Sequence, residues 1–173
     1  MNFKQALNNI KAFAFDVDGV LSSNCITLND KGEPVRMANI KDGYAIQLAV
    51  KLGYPIAIIS GAKTESIRFR YKGLGVKDVY LCSSHKTIQF NDFIKKHNLE
   101  ASNVLYMGDD IPDYGVMKLC GVATCPRDAA SEIKAISHYV SDRGAGEGCV
   151  RDVIEQVLRL HGHWMRDDDV CAW

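Results

Sequence analysis

The stretch Lys11-Ala-Phe-Ala-Phe-Asp-Val-Asp-Gly-Val-Leu21 decides how the rest of the chain is read. Residues 12–15 are continuously apolar and half aromatic, the pattern of a strand buried on both faces of a parallel sheet. The run stops at Asp16, Asp18 follows two residues on, and Gly19 lets the chain turn sharply. Carboxylates at the carboxyl end of a central strand lie where open α/β sheets bind ligands. Buried there without partners, each ion would cost on the order of several kcal/mol. The pair therefore calls for a cation, and an all-oxygen site suits Mg2+. Taken alone, Asp-x-Asp-Gly is also what a solvated turn looks like, so its meaning depends on the flanking chain.

Beyond Leu21, strand-like apolar runs occur at residues 55–60, 76–81 and 103–108, with shorter ones at 122–124 and 138–140. Helical spacing fills the intervals. One helix is expected over 42–52, with Asp42 as its cap and Gly53 as its stop. Another starts at Thr64, with Ile67 and Tyr71 turned inward, and a third runs over 84–97. A fourth carries Pro112 in its first turn, and residues 129–134 and 149–160 add two more. A short helix over 3–9 leads the chain. Strands alternating with helices at this interval predict βαβ units, hence an α/β fold with a three-layer, doubly wound parallel sheet.

Residues 21–38 break the alternation. Asn29-Asp-Lys-Gly32 is a turn signal between two short alternating runs, so residues 24–38 read as a β-hairpin. Its open edges and its apolar Ile26, Val35 and Met37 need a cover, which a neighbouring subunit would provide. The expected organisation is one domain over residues 1–162 with the hairpin as an insert. A patternless tail, 163–173, follows, with Trp164 and Trp173 as candidate anchors.

Composition excludes several classes. With 21 basic and 21 acidic residues there is no positive surplus to hold nucleic acid or an anionic membrane. No apolar run approaches the roughly 20 residues needed to span a bilayer. Residues 1–10 have no hydrophobic signal core, so a cytoplasmic protein is expected. The six cysteines are scattered without a Cys-x-x-Cys pair, which suits thiols in a reducing compartment better than metal ligands.

Each expected buried strand ends at a residue able to do chemistry. Asp16 and Asp18 follow the first, Ser60 the second, and Asp109 and Asp110 the fourth, while Lys86 lies in the helix after the third. In a doubly wound sheet these ends share one edge, so the four loops converge on one crevice.

The order Phe15-Asp-Val-Asp-Gly-Val-Leu21, Ile58-Ile-Ser-Gly61, Lys86 and Met107-Gly-Asp-Asp-Ile-Pro-Asp113 resembles the haloacid dehalogenase superfamily of phosphohydrolases over residues 11–125. The resemblance implies that Asp16 is a nucleophile forming an aspartyl-phosphate and that Asp18 is the general acid/base. It implies that Ser60 and Lys86 hold the phosphoryl oxygens. It places Mg2+ on the Asp16 and Asp109 side chains and the Asp18 backbone carbonyl. Elementary chemistry agrees with these roles. A carboxylate attacks phosphorus only when phosphoryl charge is neutralised, as Mg2+ and Lys86 would do. A lysine beside Asp16 keeps it ionised. Ser60 and the Gly61 amide form an anion site at a strand-to-helix turn. Asp113 has a simpler account as a favourable charge at a helix N-terminus, worth about 0.3–1 kcal/mol.

Superfamily members usually carry a cap domain, but domains rarely fall below about 50 residues and residues 19–41 and 61–85 leave no such room. The small size, the hairpin and Arg143-Gly-Ala-Gly-Glu-Gly-Cys-Val-Arg151 resemble the capless branch, whose substrate is 3-deoxy-D-manno-octulosonate 8-phosphate, a lipopolysaccharide precursor. That branch implies a homotetramer in which hairpins assemble the subunits and one subunit closes the site of another. The Gly-rich run is expected to aim the C-terminal region toward a neighbour's crevice. Gly61, Ala62 and Arg70 are the candidate substrate-binding residues, Arg70 for the substrate carboxylate. A sister group acting on the nine-carbon sugar acid 9-phosphates (deaminoneuraminate or sialate type) tends to carry an acid where Ala62 stands and a lysine where Gly73 stands. Those two positions favour the eight-carbon substrate, although the eight-carbon pattern often has Arg at Ala62. A non-enzymatic alternative is a receiver-like phosphoaspartate signalling domain, also small and doubly wound. Receivers place an acidic pair one βαβ unit before the phosphorylated Asp, whereas here the nucleophile candidate lies on the first strand.

Overall fold

A computed structural model describes residues 2–165. In chain order, α1 (Phe3–Ala6) leads into β1 (Ala12–Phe15), and a hairpin of β2 (Thr27–Leu28) and β3 (Pro34–Val35) follows. Then come α2 (Ile40–Lys51), β4 (Ile56–Ile59), α3 (Glu65–Gly73), β5 (Asp78–Tyr80), α4 (Lys86–Lys96) and β6 (Val104–Met107). The chain continues through α5 (Tyr114–Met117), β7 (Val122–Cys125), α6 (Ser131–Ile136), β8 (Tyr139–Val140) and α7 (Cys149–Leu160).

Six strands form one sheet in the order β5-β4-β1-β6-β7-β8, and every neighbouring pair is parallel. β1 lies inside, with Phe15 in register with Ile58 on one side and Met107 on the other. Successive side chains alternate faces, and β1 uses this to divide large from small. Phe13 and Phe15 fill the core beneath α2, α3 and α7, with Ile46, Ile67, Val153 and Val157. Ala12 and Ala14 face the other layer, where Phe90 and Phe93 of α4 and Val116 of α5 take up the space. Two helical layers therefore enclose the sheet, as the strand and helix periods predict. The hairpin stands apart as its own two-stranded sheet, and Leu28, Val35 and Met37 on it are exposed.

Several local expectations are corrected. The cap of α2 is Asn39, whose Oδ1 accepts from the amides of Lys41 at 2.9 Å and Asp42 at 3.3 Å. Asp42 instead lies inside the first turn, where its Oδ1 accepts from the Arg151 amide at 2.6 Å. Helix α7 opens at Gly148, which has no side chain to cap it, so a carboxylate from α2 does so. α4 starts at Lys86, and Pro112 sits in a 3-10 turn, Ile111–Asp113, ahead of α5. The Gly-rich run is also tied into its own chain. The Gly146 amide donates to the Val20 carbonyl at 2.9 Å, the Asn39 Nδ2 donates to the Gly146 carbonyl at 2.9 Å, and α7 packs on α2 of its own chain.

Trp164 also turns back onto the domain, its ring perpendicular to that of Tyr44 and its centroid 4.4 Å from the Arg151 guanidinium carbon. Trp173 and Cys171 lie outside the described residues. The described cysteines are all free thiols, and no described helix is long and apolar enough to cross a membrane.

Candidate active site

The strands β5, β4, β1 and β6 are neighbours in the sheet, so the loops at their carboxyl ends meet. They line a crevice of about 570 Å³ that contains Asp16, Asp18, Ser60, Lys86, Asp109 and Asp113. Gly61 and Ala62 line it too. Arg70 does not; from α3 its Nη2 packs over Gly43, so close that a Cβ there would lie 2.6 Å from it.

Asp16 is placed by β1, one residue past the last buried aromatic. Its Oδ1 accepts from the Val17 amide at 2.7 Å, and its Oδ2 lies 2.7 Å from Lys86 Nζ. The same Nζ donates to Asp113 Oδ1 at 2.7 Å, and the Tyr106 hydroxyl donates to that oxygen at 2.6 Å. Asp113 Oδ2 accepts from the Asp109 amide at 3.1 Å. Asp113 is thus more than a charge near a helix end: it is buried and holds the lysine and the Asp109 loop in place. Two glycines make the approach possible. At Gly19, with φ of +85°, a Cβ would fall 1.9 Å from Asp109 Oδ2, and at Gly108 one would fall 2.4 Å from the Asp113 Cβ.

Charge in this crevice is unbalanced. Asp16, Asp109 and Asp113 offer carboxylate oxygens within 4.8 Å of one another, and Lys86 is the one cation lining the crevice among the described residues. Burial, and then the Asp113 charge, push the Asp16 carboxyl well above the ordinary carboxylate range, against the pull of Lys86 and the Val17 amide. The same two causes push Asp109 up to about 7. Burial draws the Lys86 ammonium down, and the Asp16 and Asp113 charges more than reverse it. Such a set of hard oxygens with surplus negative charge fits a divalent cation such as Mg2+.

Ser60 is buried, and its Oγ accepts from the Ala62 amide at 3.1 Å, which fixes the turn leading to α3. Ser83, also in the crevice, has a buried hydroxyl without a partner. The sequence reading missed three contributors. Tyr106 sits in a buried strand, where a phenol needs a hydrogen-bond partner, and that need was its signal. Asn24 donates through Nδ2 to Asp128 Oδ2 at 3.2 Å, tying the hairpin's base to the loop after β7. Arg36 pairs with Asp18, with Nε 2.6 Å from Oδ1; its only trace in the sequence was a charge between apolar Val35 and Met37.

No family model matches the chain. It is 35% identical over 154 residues to the 3-deoxy-D-manno-octulosonate 8-phosphate phosphatase of Escherichia coli (strain K12), covering 89% of this chain and 82% of that one. The crystal structure of the Moraxella catarrhalis 3-deoxy-D-manno-octulosonate 8-phosphate phosphatase, in complex with magnesium, phosphate and KDO, matches with a TM-score of 0.87 at 30% identity, covering 91% of each chain. A Legionella pneumophila structure, described as a HAD superfamily (subfamily III A) hydrolase, shares the fold with a TM-score of 0.91 at 23% identity, covering 98% of this chain and 91% of that one.

Proposed function

The chain belongs to the 3-deoxy-D-manno-octulosonate 8-phosphate phosphatase family of the haloacid dehalogenase superfamily, and from that premise we propose that it hydrolyses this phosphomonoester in lipopolysaccharide precursor synthesis. The observation that carries the reading is the convergence of Asp16, Asp109 and Asp113 at the carboxyl edge of the sheet, with Asp16 and Asp113 both paired to the buried Lys86.

In this reading Asp16 attacks phosphorus through its free lone pairs and forms an aspartyl-phosphate, while the bond to the sugar oxygen breaks. Asp18 gives a proton to that leaving oxygen and later takes one from the water that opens the aspartyl-phosphate. Lys86, Ser60 and the Gly61 amide hold phosphoryl oxygens. Mg2+ would be held by the Asp16 and Asp109 carboxylates and the Asp18 carbonyl, and supplies charge neutralisation at the phosphoryl group. Lys86 is already engaged by two carboxylates, so a substrate carboxylate needs a further cation. Arg70 is our candidate.

Residues 1–162 form the phosphohydrolase unit in this reading and 163–173 a tail. The assembly is a cytoplasmic homotetramer in which the exposed hairpin contacts a neighbour and the neighbour closes the crevice. Ala62 and Gly73 support the eight-carbon over the nine-carbon sugar acid.

Steady-state turnover of 3-deoxy-D-manno-octulosonate 8-phosphate, the nine-carbon acid 9-phosphates and an aryl phosphate, with and without Mg2+, tests the proposal. The eight-carbon ester is expected to have the highest kcat/KM, and activity is expected to vanish with a chelator. Preference for a nine-carbon ester would reassign the substrate. One phosphoryl group retained per chain without turnover would mean a receiver-like protein.

A further inference from the structure

Hairpin side chains mostly face outward, with Val35 and Met37 exposed. Arg36 between them does the opposite, and its side chain is only 11% exposed. Its Nε donates to Asp18 Oδ1 at 2.6 Å and its Nη2 to Asp18 Oδ2 at 2.9 Å, the parallel fork by which arginine fixes a carboxylate. Its Nη1 donates to Thr64 Oγ1 at 3.2 Å, in the loop that runs from Ser60 into α3. Among the described residues the Ser22 hydroxyl also reaches Asp18, its single proton shared between Oδ1 at 3.1 Å and the Val17 carbonyl at 3.2 Å.

We propose that Arg36 is the positioning residue for Asp18, fixing where that carboxylate stands relative to the leaving oxygen and so linking the hairpin to proton transfer. The proposal rests on the reading of Asp18 as the acid/base given above. In that step the phosphorus–oxygen bond breaks, its electron pair stays on the sugar oxygen, and a proton carried on Asp18 moves to that oxygen. In the second step water attacks the aspartyl-phosphate and its proton returns to Asp18. Both transfers require Asp18 to stand within hydrogen-bond reach of the reacting oxygen. Asp18 is one-third exposed, with 32% of its side chain accessible, so burial does not hold it still. The guanidinium fork does, and it ties the carboxylate at once to the hairpin and to the Ser60 loop. Misplacement by about 1 Å costs on the order of 10²-fold in rate.

The test uses two esters and kcat/KM, which reports the steps up to loss of the first leaving group. The sugar-acid phosphate releases an alkoxide that needs a proton, whereas p-nitrophenyl phosphate releases an anion that does not. Wild type, Arg36→Gln, Arg36→Lys, Asp18→Asn and the double variant Arg36→Gln/Asp18→Asn are compared, each checked for native circular dichroism. Arg36→Gln is expected to lose about 10–100-fold on the sugar ester and to leave the nitrophenyl ester unchanged. Arg36→Lys, which keeps the charge and loses the fork, falls between. The double variant is no worse than Asp18→Asn, because Arg36 acts through Asp18. Equal losses on both esters in Arg36→Gln, or additive losses in the double variant, overturn the proposal alone and leave Arg36 a fold residue. Equal losses on both esters in Asp18→Asn overturn the acid/base reading itself, and this proposal with it.

Discussion

At Lys86 one ammonium answers two buried carboxylates, each 2.7 Å away, and the arrangement is stable only as a set. Asp16→Asn keeps the size and one acceptor oxygen but removes the attacking carboxylate, so a folded protein without Mg2+-dependent phosphate release is expected. Near-normal turnover in that variant would reassign the nucleophile. Tyr106 tests the set from behind, because its hydroxyl donates to the same Asp113 oxygen as Lys86. Tyr106→Phe removes one hydrogen bond to a buried carboxylate and is expected to lower stability by about 1–3 kcal/mol in urea denaturation. An unchanged midpoint would show that Lys86 alone satisfies that oxygen. For Arg70, loss of a charge-assisted bond worth about 1.5–3 kcal/mol predicts a KM for the sugar-acid phosphate raised about 10–100-fold in Arg70→Ala, with the aryl phosphate unaffected. Parallel changes in both esters would return Arg70 to a packing role over Gly43.

Helices α2 and α7 are joined by an exchange that neither sequence shows alone. Gly148 cannot cap α7, so Asp42, 2% exposed, does so from α2 through the Arg151 amide. Its second oxygen is buried without a partner. Burial pushes its carboxyl from 3.8 up to about 6, against the hydrogen bond and charge of Arg151. Because the folded value lies above the unfolded one, the folded state holds this proton more tightly. The stability it contributes is complete below about pH 4 and is lost as pH rises through about 6. The shift corresponds to about 3 kcal/mol. Asp42→Asn removes this pH dependence, so between pH 4 and 7 wild type should lose about that much stability relative to the variant, measured with Mg2+ present. Parallel curves would mean that the Asp42 charge is stabilised by a group other than Arg151.

Over the whole molecule, the hairpin gathers several of the exposed large apolar side chains in one place. Leu28 on β2 is 63% exposed and Met37, two residues past β3, 81%, and the two strands, of two residues each, are too short to be stable alone. Covering them in a homotetramer would steady the hairpin and exclude water from the crevice, which strengthens its electrostatics. Sedimentation of wild type is expected to give a tetramer, and the variant Ile26→Ser/Val35→Ser/Met37→Ser a smaller species with reduced turnover. A fully active monomer in either case would mean that one chain closes its own site.

The positions of Asp16, Asp18, Ser60, Lys86 and Asp109 were legible in the linear chain, because each follows a strand or, for Lys86, lies in the first turn of a helix that hydrophobic periodicity defines. A buried parallel strand must end where polarity returns, and its carboxyl end is where such sheets expose function. That much is local: it depends on neighbours two to four residues apart. Which charge answers which was decided only by tertiary structure. Arg36 meets Asp18 across 18 residues, Lys86 meets Asp113 across 27, and Asp42 meets the Arg151 amide across 109. Nothing in the periods of the chain states the sheet order β5-β4-β1-β6 that brings these loops together. Ionic groups choose partners by the low-dielectric surroundings and the roughly 3 Å contacts that packing creates, and those exist only once the layers have closed.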